Sequence, residues 1–420
     1  MSQAPASPSP KAKPEGLAAY ITVTAAYWAF MLTDGALRML VLLHFHTIGF
    51  SPVQLAYLFL LYEVMGVVTN LSAGWLAARF GLTSTLYAGL GLQIVALVAL
   101  AQLDPSWSLA ASVVFVMVVQ GLSGVAKDLA KMSAKSAVKL LAPEGEGGLF
   151  KWVAILTGSK NAVKGVGFLL GAVLLAVWGF QTSVWVMAAV LTVILIGVAL
   201  FMPSGLPQGK KSAKFSQVFS KDQNVNRLSL ARMFLFGARD VWFVVGIPIY
   251  FYAVLSDGSE EGNRAAFFII GTFMAVWIIL YGFVQGLAPK LLKAATSSTP
   301  EIVHKAVVWV GVLTLIPLAL AAAVWADLPG LTAIVVAGLL VFGFVFAVNS
   351  SVHSYLILAF TTGERVTMDV GFYYMSNAAG RLLGTLLSGV SYQLGGLPLC
   401  LFTAAVMAAL STLAANRLRG

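Results

Sequence analysis

Eight lysines and arginines lie deep inside stretches of the chain that are otherwise apolar enough to cross a membrane. They are Arg38, Lys127, Lys131, Lys160, Lys164, Arg232, Arg239 and Arg381, and the same stretches contain five acids, Asp34, Glu63, Asp128, Asp240 and Asp369. A charged side chain at the centre of a bilayer costs about 2.5–3.5 kcal/mol on insertion scales, so such residues usually face a cavity or a partner. Even if every acid neutralises one cation, three positive charges remain. This excess indicates a site for an anion.

The sharpest feature is a pair of lysines, Lys160 and Lys164, which stand one helical turn apart beside Ser159 and Asn161. Both lysines lie too deep in their apolar stretch for the side chains to reach an interface easily. Ammonium groups supply charge, and amide and hydroxyl groups supply directed hydrogen bonds. The group therefore predicts an oxyanion clamp, with pairing of the lysines to acids such as Glu63 as the alternative.

Three arginines, Arg38, Arg239 and Arg381, lie near the midpoints of their apolar stretches. The planar guanidinium group suits bidentate contact with phosphate, arsenate or carboxylate groups. Asp34 lies one turn before Arg38, and Asp240 directly follows Arg239, so structural pairing is the alternative for these two arginines. Arg381 has no acid within a helical turn, and this favours a role in substrate binding.

Lysines recur every four residues at Lys127, Lys131, Lys135 and Lys139. This spacing places them along one face of a helix. A substrate-binding role is predicted for Lys127 and Lys131, which lie deeper, where a focused positive field would draw an anion inward. Ordinary lysines flanking a membrane span are the alternative, above all for the outer two.

The acids Asp34, Glu63 and Asp240 allow two interpretations, proton coupling or counter-charge. A buried carboxylate beside a fixed arginine tends to stay ionised, which favours counter-charge. No lysine or arginine lies deep inside the apolar stretch that contains Glu63, so Glu63 is the best candidate for proton transfer.

Metal binding and enzymatic catalysis find no support in the sequence. The four histidines show no metal-ligand grouping, and the single cysteine, Cys400, excludes an intramolecular disulfide and a cysteine-cluster metal site. No nucleophile–base constellation is present. We therefore predict neither an enzyme nor a cofactor.

The composition is that of an all-α integral membrane protein. Of the 420 residues 59% are hydrophobic and only 10% are charged, with a mean hydropathy of +0.90, whereas soluble domains typically carry about 25% charged residues. A helix needs about 20 apolar residues to cross a bilayer. Twelve stretches meet this length, at 17–47, 52–79, 83–103, 107–136, 149–178, 182–202, 226–254, 265–289, 302–325, 328–356, 366–394 and 396–416.

The net charge of +10 follows membrane topology rather than nucleic-acid binding. Connections on one side carry most of the lysines, such as Lys210 and Lys211, whereas those on the other side carry acids such as Asp104 and Asp257. Because cytoplasmic loops are enriched in lysine and arginine, this pattern places both termini in the cytoplasm.

The chain divides into two predicted six-helix halves, 17–202 and 226–416, joined by a polar cytoplasmic linker at 203–225 and preceded by a disordered cytoplasmic tail at 1–16. Weak internal similarity supports the division. Asn161-Ala-Val-Lys164 with a following G-x-x-x-G corresponds to Asn377-Ala-Ala-Gly-Arg381 with its own G-x-x-x-G. Transporters are often built from such repeats, with the substrate site between them near mid-membrane.

The connection Gly74-Trp-Leu-Ala-Ala-Arg-Phe-Gly81 is similar to the G-x-L-A-D-R-x-G signature of the major facilitator superfamily. It differs at Ala78, where the family usually has aspartate, so the family's salt bridge at this corner is not expected here. The resemblance implies the major facilitator fold and alternating access.

Longer segments resemble one branch of that superfamily, the organoarsenical efflux permeases (ArsJ). They are TDGALRMLVLLHFH at 33–46, GVAKDLAKMSAK at 124–135, WVAILTGSKNAVK at 152–164 and FLFGARDVWF at 234–243. The resemblance implies arsenate resistance in the bacterial inner membrane. A glyceraldehyde-3-phosphate dehydrogenase uses arsenate to make 1-arseno-3-phosphoglycerate, and the permease exports this ester. It implies no set of binding residues.

The residues agree with such a cargo, since an arsenate ester and a phosphate ester at its two ends suit two cationic clusters. Lys160 with Lys164, and Arg239 with Arg381, are the predicted clusters. Trivalent arsenic prefers thiolate ligands, which are lacking, so a hard oxyanion is expected. An organophosphate/phosphate exchanger or another organic-anion exporter is the alternative.

Overall fold

The computed structural model describes residues 14–141, 148–202, 219–292, 298–361 and 366–419. Within these ranges the chain is helical and contains no β-strand. The helices are α1 (Pro14–Thr47), α2 (Pro52–Leu100), α3 (Leu109–Leu141), α4 (Gly148–Phe201), α5 (Gln223–Val241), α6 (Ile247–Leu255), α7 (Glu260–Leu291), α8 (Thr299–Trp325), α9 (Leu331–Phe360) and α10 (Val366–Ala415), with a π-helical segment, Trp242–Gly246, between α5 and α6.

Ten stretches of the described residues are long and apolar enough to cross a membrane. Two of them are much longer than a bilayer requires, Ser159–Phe201 with 43 residues and Asp369–Ala415 with 47. At about 1.5 Å per residue each would exceed 60 Å if straight, about twice the thickness of a hydrocarbon core. Neither is straight.

Glycines break the long helices at defined points. Gly81 in α2 (φ 76°) and Gly179 in α4 (φ 71°) have positive φ angles, and in α10 the break falls at Gly395 and Gly396 (φ 64°). A residue with a side chain rarely adopts such angles, so glycine allows the chain to reverse between two apolar arms. The break in α2 falls where the sequence predicts the connection between two spans. The surroundings of Gly74 and the side chains of Ala78 and Arg79 in that motif are outside what the structure describes.

Polar caps fix where several helices begin. Ser51 accepts a hydrogen bond from the backbone N–H of Gln54, and the Gln54 side chain accepts one from the backbone N–H of Ser51, which forms a capping box ahead of Pro52. Asp222 caps α5 through the N–H of Val225. These contacts satisfy backbone donors that a helix leaves unpaired at its start.

Two predicted boundaries differ from the structure. Helix α1 begins at Pro14, inside the predicted tail 1–16, and α5 begins at Gln223, inside the predicted linker 203–225. In both cases a proline or a capping residue starts the helix before the apolar run that was used to place it. Residues 1–13 of the tail and 203–218 of the linker lie outside the described residues.

Small residues bring two helix pairs into close contact. A Cβ atom on Gly171 of α4 would overlap the carbonyl oxygen of Ala36 in α1. A Cβ atom on Gly380 of α10 would overlap the carbonyl oxygen of Met233 in α5. Such small-residue seams allow membrane helices to pack backbone against backbone. Each seam lies beside one of the buried cations, Lys164 in α4 and Arg381 in α10.

We expect Gly171→Val to destabilise the protein, because neither the added side chain nor the Ala36 backbone has space to move. Overpacking costs about 1–3 kcal/mol in well-packed interiors. The measurement is the midpoint of thermal unfolding in detergent. Gly197→Val in the same helix is the control, since a Cβ there meets no atom within 4 Å; equal effects of the two substitutions would contradict the seam.

Candidate functional site

Buried and partly buried charged side chains from six helices form one network in the interior. Its members are Asp34 and Arg38 of α1, Glu63 of α2, Lys127, Asp128 and Lys131 of α3, Lys164 of α4, Arg239 and Asp240 of α5, and Arg381 of α10. We call this set the charge network.

Glu63 occupies the centre of the charge network. Its carboxylate is fully buried and accepts hydrogen bonds from Arg38 Nη1 at 3.2 Å and from Arg381 Nη2 at 2.6 Å and 2.5 Å. Glu63 lies roughly 17 Å along α2, and Arg381 lies about midway between Val366 and the glycine break of α10. One carboxylate therefore joins α1, α2 and α10 near the middle of their spans.

Arg381 extends the chain of contacts into α5. Its Nε atom lies 3.9 Å from Asp240 Oδ2, and Asp240 Oδ1 accepts a hydrogen bond from Arg239 Nε at 2.6 Å. The Arg239 guanidinium also lies over the rings of Phe236, Phe243 and Phe346, with centroids 5.0–5.7 Å away. Aromatic faces stabilise a cation where water is scarce.

A second branch joins α1, α2 and α4. Lys164 Nζ lies 3.0 Å from Asp34 Oδ2, and the Tyr62 hydroxyl donates to Asp34 Oδ1 at 2.6 Å. The Gly35 and Gly167 backbones are in close approach at this level, which brings α4 near enough to α1 for this pair to form.

A third branch lies at α3 and the neighbouring part of α2. Lys131 Nζ lies 2.6 Å from Asp128 Oδ1 and donates to Asn70 Oδ1 at 2.5 Å. The hydroxyl of Thr69 donates to Asp128 Oδ2 at 2.5 Å. The ring of Tyr374, from α10, lies 5.9 Å from the ammonium group of Lys131.

Lys127 differs from the other members because no carboxylate of the described residues lies within 4.0 Å of its ammonium group. Only 7% of the residue is exposed, and Nζ lies over the ring of Tyr62 at 4.1 Å from the centroid. An ammonium group buried without an adjacent counter-charge is costly. Lys127 therefore carries part of the positive excess.

Cations and acids of the network differ in exposure. The side chains of Arg38, Lys131, Lys164, Arg239 and Arg381 keep 12–19% of their surface accessible, whereas their carboxylate partners keep 0–2%. The carboxylates are enclosed by the protein, whereas the cations border accessible space. With six cations against four carboxylates, that space is positive. It suits an anion.

Comparison with known proteins identifies the family. The family model described as Major Facilitator Superfamily matches residues 19–303, more than half of the chain. The chain belongs to the Major Facilitator Superfamily. A crystal structure of a POT family transporter in complex with a thioalcohol-conjugated peptide has a similar fold, with a TM-score of 0.70, 13% identity and 94% of each chain covered. No curated protein matches the chain.

Membership of the Major Facilitator Superfamily implies transport of a substrate across a membrane, and it points to a transporter rather than an enzyme. The sequence-based assignment to this superfamily is confirmed, as is the expectation of an all-helical, multi-pass membrane protein. At 13% identity the likeness to the POT transporter shows the fold alone.

In this major facilitator protein, several predicted site residues have partners other than those suggested by the sequence. Arg38 pairs with Glu63 rather than with Asp34 of its own helix, and Arg381 pairs with the same Glu63 across the interior. Lys164 pairs with Asp34. Helix-local spacing cannot identify partners on other helices. Arg38 and Arg381 both contact the Glu63 carboxylate, so Glu63 serves as their counter-charge in this structure; its proton-transfer role stays a prediction.

The residues of the predicted Lys160–Lys164 clamp contact several different partners instead of one common site. Asn161 Nδ2 donates to Gln285 Oε1 of α7 at 3.0 Å, and Ser159 Oγ accepts a hydrogen bond from Trp28 Nε1 at 3.0 Å. Lys160 is half-buried one turn before Lys164. The side chains of Lys135 and Lys139 lie outside the described residues.

Three polar residues that the sequence alone did not single out, Tyr62, Thr69 and Asn70, complete the carboxylate contacts. Asn70 lies two turns after Glu63, on the same face of α2, and this spacing was the available signal. The described residues contain no group of three or more histidine, cysteine or acidic side chains able to hold a metal ion.

We expect a double-mutant cycle on Asp34 and Lys164 to show strong coupling. Asp34→Asn leaves an uncompensated lysine while retaining an oxygen for Tyr62; loss of one partner of a fully buried pair costs about 3–5 kcal/mol, and less here because Lys164 is 17% exposed. The double variant Asp34→Asn/Lys164→Gln should recover part of the loss. The midpoint of thermal unfolding measures each variant, and additive effects would show that the pair is not coupled.

Proposed function

We propose that this major facilitator protein exports an organic anion by alternating access. One observation supports the proposal above all: partly accessible cations line the interior while their fewer carboxylate partners lie behind them. Intramembrane ionisable groups that face a cavity mark substrate pathways. A positive cavity between helices selects anions and raises their local concentration.

The architecture that we propose has twelve spans in two six-helix halves, 17–202 and 226–416, with the linker 203–225 and both termini in the cytoplasm. The glycine breaks in α2 and α4 divide each of these helices into two arms, and the break in α10 does the same. Equivalent seams support the two halves, since Gly171 packs on α1 as Gly380 packs on α5. The enrichment of basic residues on one side supports the orientation.

In this proposal the substrate anion takes the place of the Glu63 carboxylate as the partner of Arg38 and Arg381. Without substrate, the Glu63 carboxylate neutralises Arg38 of the first half and Arg381 of the second. An oxyanion that binds both guanidinium groups makes the same kind of charge-assisted contacts. Because the two arginines belong to different halves, occupancy by a mobile anion couples binding to the relative movement of the halves.

Lys127 and Lys164 add charge beside this position. Lys127 has an aromatic neighbour, Tyr62, and Lys164 shares the carboxylate of Asp34 with the same tyrosine. Of the residues predicted from sequence, Arg38, Arg239, Arg381, Lys127 and Lys164 are therefore the ones that we assign to the anion. Lys131 lies one turn from Lys127, and we place it on the path to the site.

For the cargo we propose 1-arseno-3-phosphoglycerate, which gives the protein a role in arsenate resistance in the bacterial inner membrane. The support is the resemblance to organoarsenical efflux permeases together with the positive cavity. The only cysteine, Cys400, is buried in contact with Ser391 and not among the network cations, so the site offers hard-anion chemistry rather than the thiolates that trivalent arsenic prefers. Supply of the cargo requires a glyceraldehyde-3-phosphate dehydrogenase acting on arsenate.

The membrane potential is sufficient to drive this export. Moving one charge across the membrane is worth about 2.3 kcal/mol per 100 mV of membrane potential. An ester with a net charge near −3 therefore gains about 7 kcal/mol per 100 mV on leaving a negative-inside cell. Breakdown of the ester outside keeps its gradient outward. Export therefore needs no coupled proton.

The test uses inside-out vesicles that contain the protein and are supplied with arsenate, glyceraldehyde-3-phosphate, NAD and the dehydrogenase. We expect arsenic to accumulate inside only when both dehydrogenase and transporter are present. Arg381→Gln should reduce the uptake about 10-fold or more, since a hydrogen bond to a charged group contributes about 1.5–3 kcal/mol. Arg227→Gln removes the same charge from a partly exposed position at the start of α5, outside the charge network, and should have no effect.

Three other results would contradict the proposal in different ways. Arsenic uptake without the dehydrogenase would identify arsenate itself as the cargo. Uptake of a phosphorylated metabolite without arsenic uptake would make the protein an organophosphate exchanger. Equal loss of uptake in Arg381→Gln and Arg227→Gln would show that the charge network is not the transport site.

A further inference from the structure

Arg232 is a buried arginine that lies outside the charge network. It is 4% exposed, and its Nη1 atom donates to the backbone oxygen and the hydroxyl of Ser350 at 2.9 Å and 3.0 Å. No carboxylate of the described residues lies within 4.0 Å of its guanidinium group. Its Nε atom is buried without a hydrogen-bond partner among the described residues. A buried charge of this kind requires a counter-charge or a ligand.

The surroundings of Arg232 supply further unused polar atoms. His353 follows Ser350 by one turn on the same face of α9, is fully buried, and uses neither ring nitrogen in a hydrogen bond to the described residues. The guanidinium lies over the rings of Phe236, at 4.1 Å, and Tyr373, at 4.9 Å. A fixed positive charge and a buried imidazole thus lie near the same serine, Ser350, and no carboxylate of the described residues pairs with the guanidinium group.

Arg232 lies close to the charge network through one shared ring. Phe236 has the guanidinium carbon of Arg232 at 4.1 Å and that of Arg239 at 5.0 Å from its centroid, so the two guanidinium groups are within about 9 Å of each other. The two arginines are seven residues apart on α5 and share one helix face. An apolar ring therefore separates two cationic positions.

We propose that Arg232, with Ser350 and His353, binds the second anionic group of a substrate whose first anionic group occupies the charge network. This inference rests on the proposed function and deepens it, because it assigns the residues that bind the second group of a cargo with two oxyanions joined by a short carbon chain. The guanidinium fork binds one oxyanion, and the carbon chain packs against Phe236. Arg232 thus supplies the second cationic position, while Lys164 belongs to the first.

Binding to the purified full-length protein in detergent tests this inference with two stable probes. Methyl phosphate has one phosphate, and propane-1,3-diol bisphosphate has two. We expect the wild-type protein to bind the bisphosphate at least about 10-fold more tightly than methyl phosphate. Arg232→Gln should remove this difference and leave the Kd of methyl phosphate unchanged. Arg232→Lys should retain part of it, and Arg227→Gln should retain all of it.

Each other result overturns a distinct claim. If neither probe binds the wild-type protein, the anion-transport proposal fails and this inference fails with it. If both probes bind the wild-type protein with equal affinity, the charge network stands as an anion site and the second subsite is wrong, even if the Arg232 variants do not fold. If Arg232→Gln weakens both probes equally, Arg232 has only a structural role.

Discussion

The need to neutralise charge in an apolar interior is the constraint on which the rest of this structure depends. An isolated ion in a low-dielectric medium is strongly disfavoured, so every buried cation must find a carboxylate, an aromatic face or a ligand. Glu63 meets this need for both Arg38 and Arg381. Because acids are fewer than cations, neutralisation is incomplete, and incomplete neutralisation is what an anion carrier requires.

The helix packing places the charges where this constraint operates. Gly167 lies one turn after Lys164 and contacts the backbone of α1, which holds Lys164 within reach of Asp34. Gly380 directly precedes Arg381 and contacts α5, which carries Asp240. Small residues at these seams trade side-chain packing for close backbone approach. The same glycines therefore determine both the fold and the position of the cations.

Composition and span length were enough to predict a multi-pass membrane protein, and the resemblance of residues 74–81 to a family signature pointed to the superfamily. The unmatched cations were also visible in the sequence. The ion-pair partners of these cations could not be identified from the sequence. Helical spacing suggested Asp34 for Arg38, whereas the structure gives Arg38 to Glu63 of another helix. Local periodicity describes one helix at a time, but ion pairs form between helices whose rotation depends on distant glycine seams. The position of Arg232 has the same explanation, since its burial and the unused His353 nitrogens appear only after α5 and α9 pack together.

The central claim, that Glu63 holds the place of a substrate anion, has a direct test in the affinity of Glu63→Gln for inorganic phosphate. We predict that this variant binds phosphate at least about tenfold more tightly than the wild-type protein. Removing the internal carboxylate frees two arginines to bind phosphate, and each hydrogen bond to a charged group contributes about 1.5–3 kcal/mol. Unchanged or weaker binding by a folded Glu63→Gln protein would contradict the account.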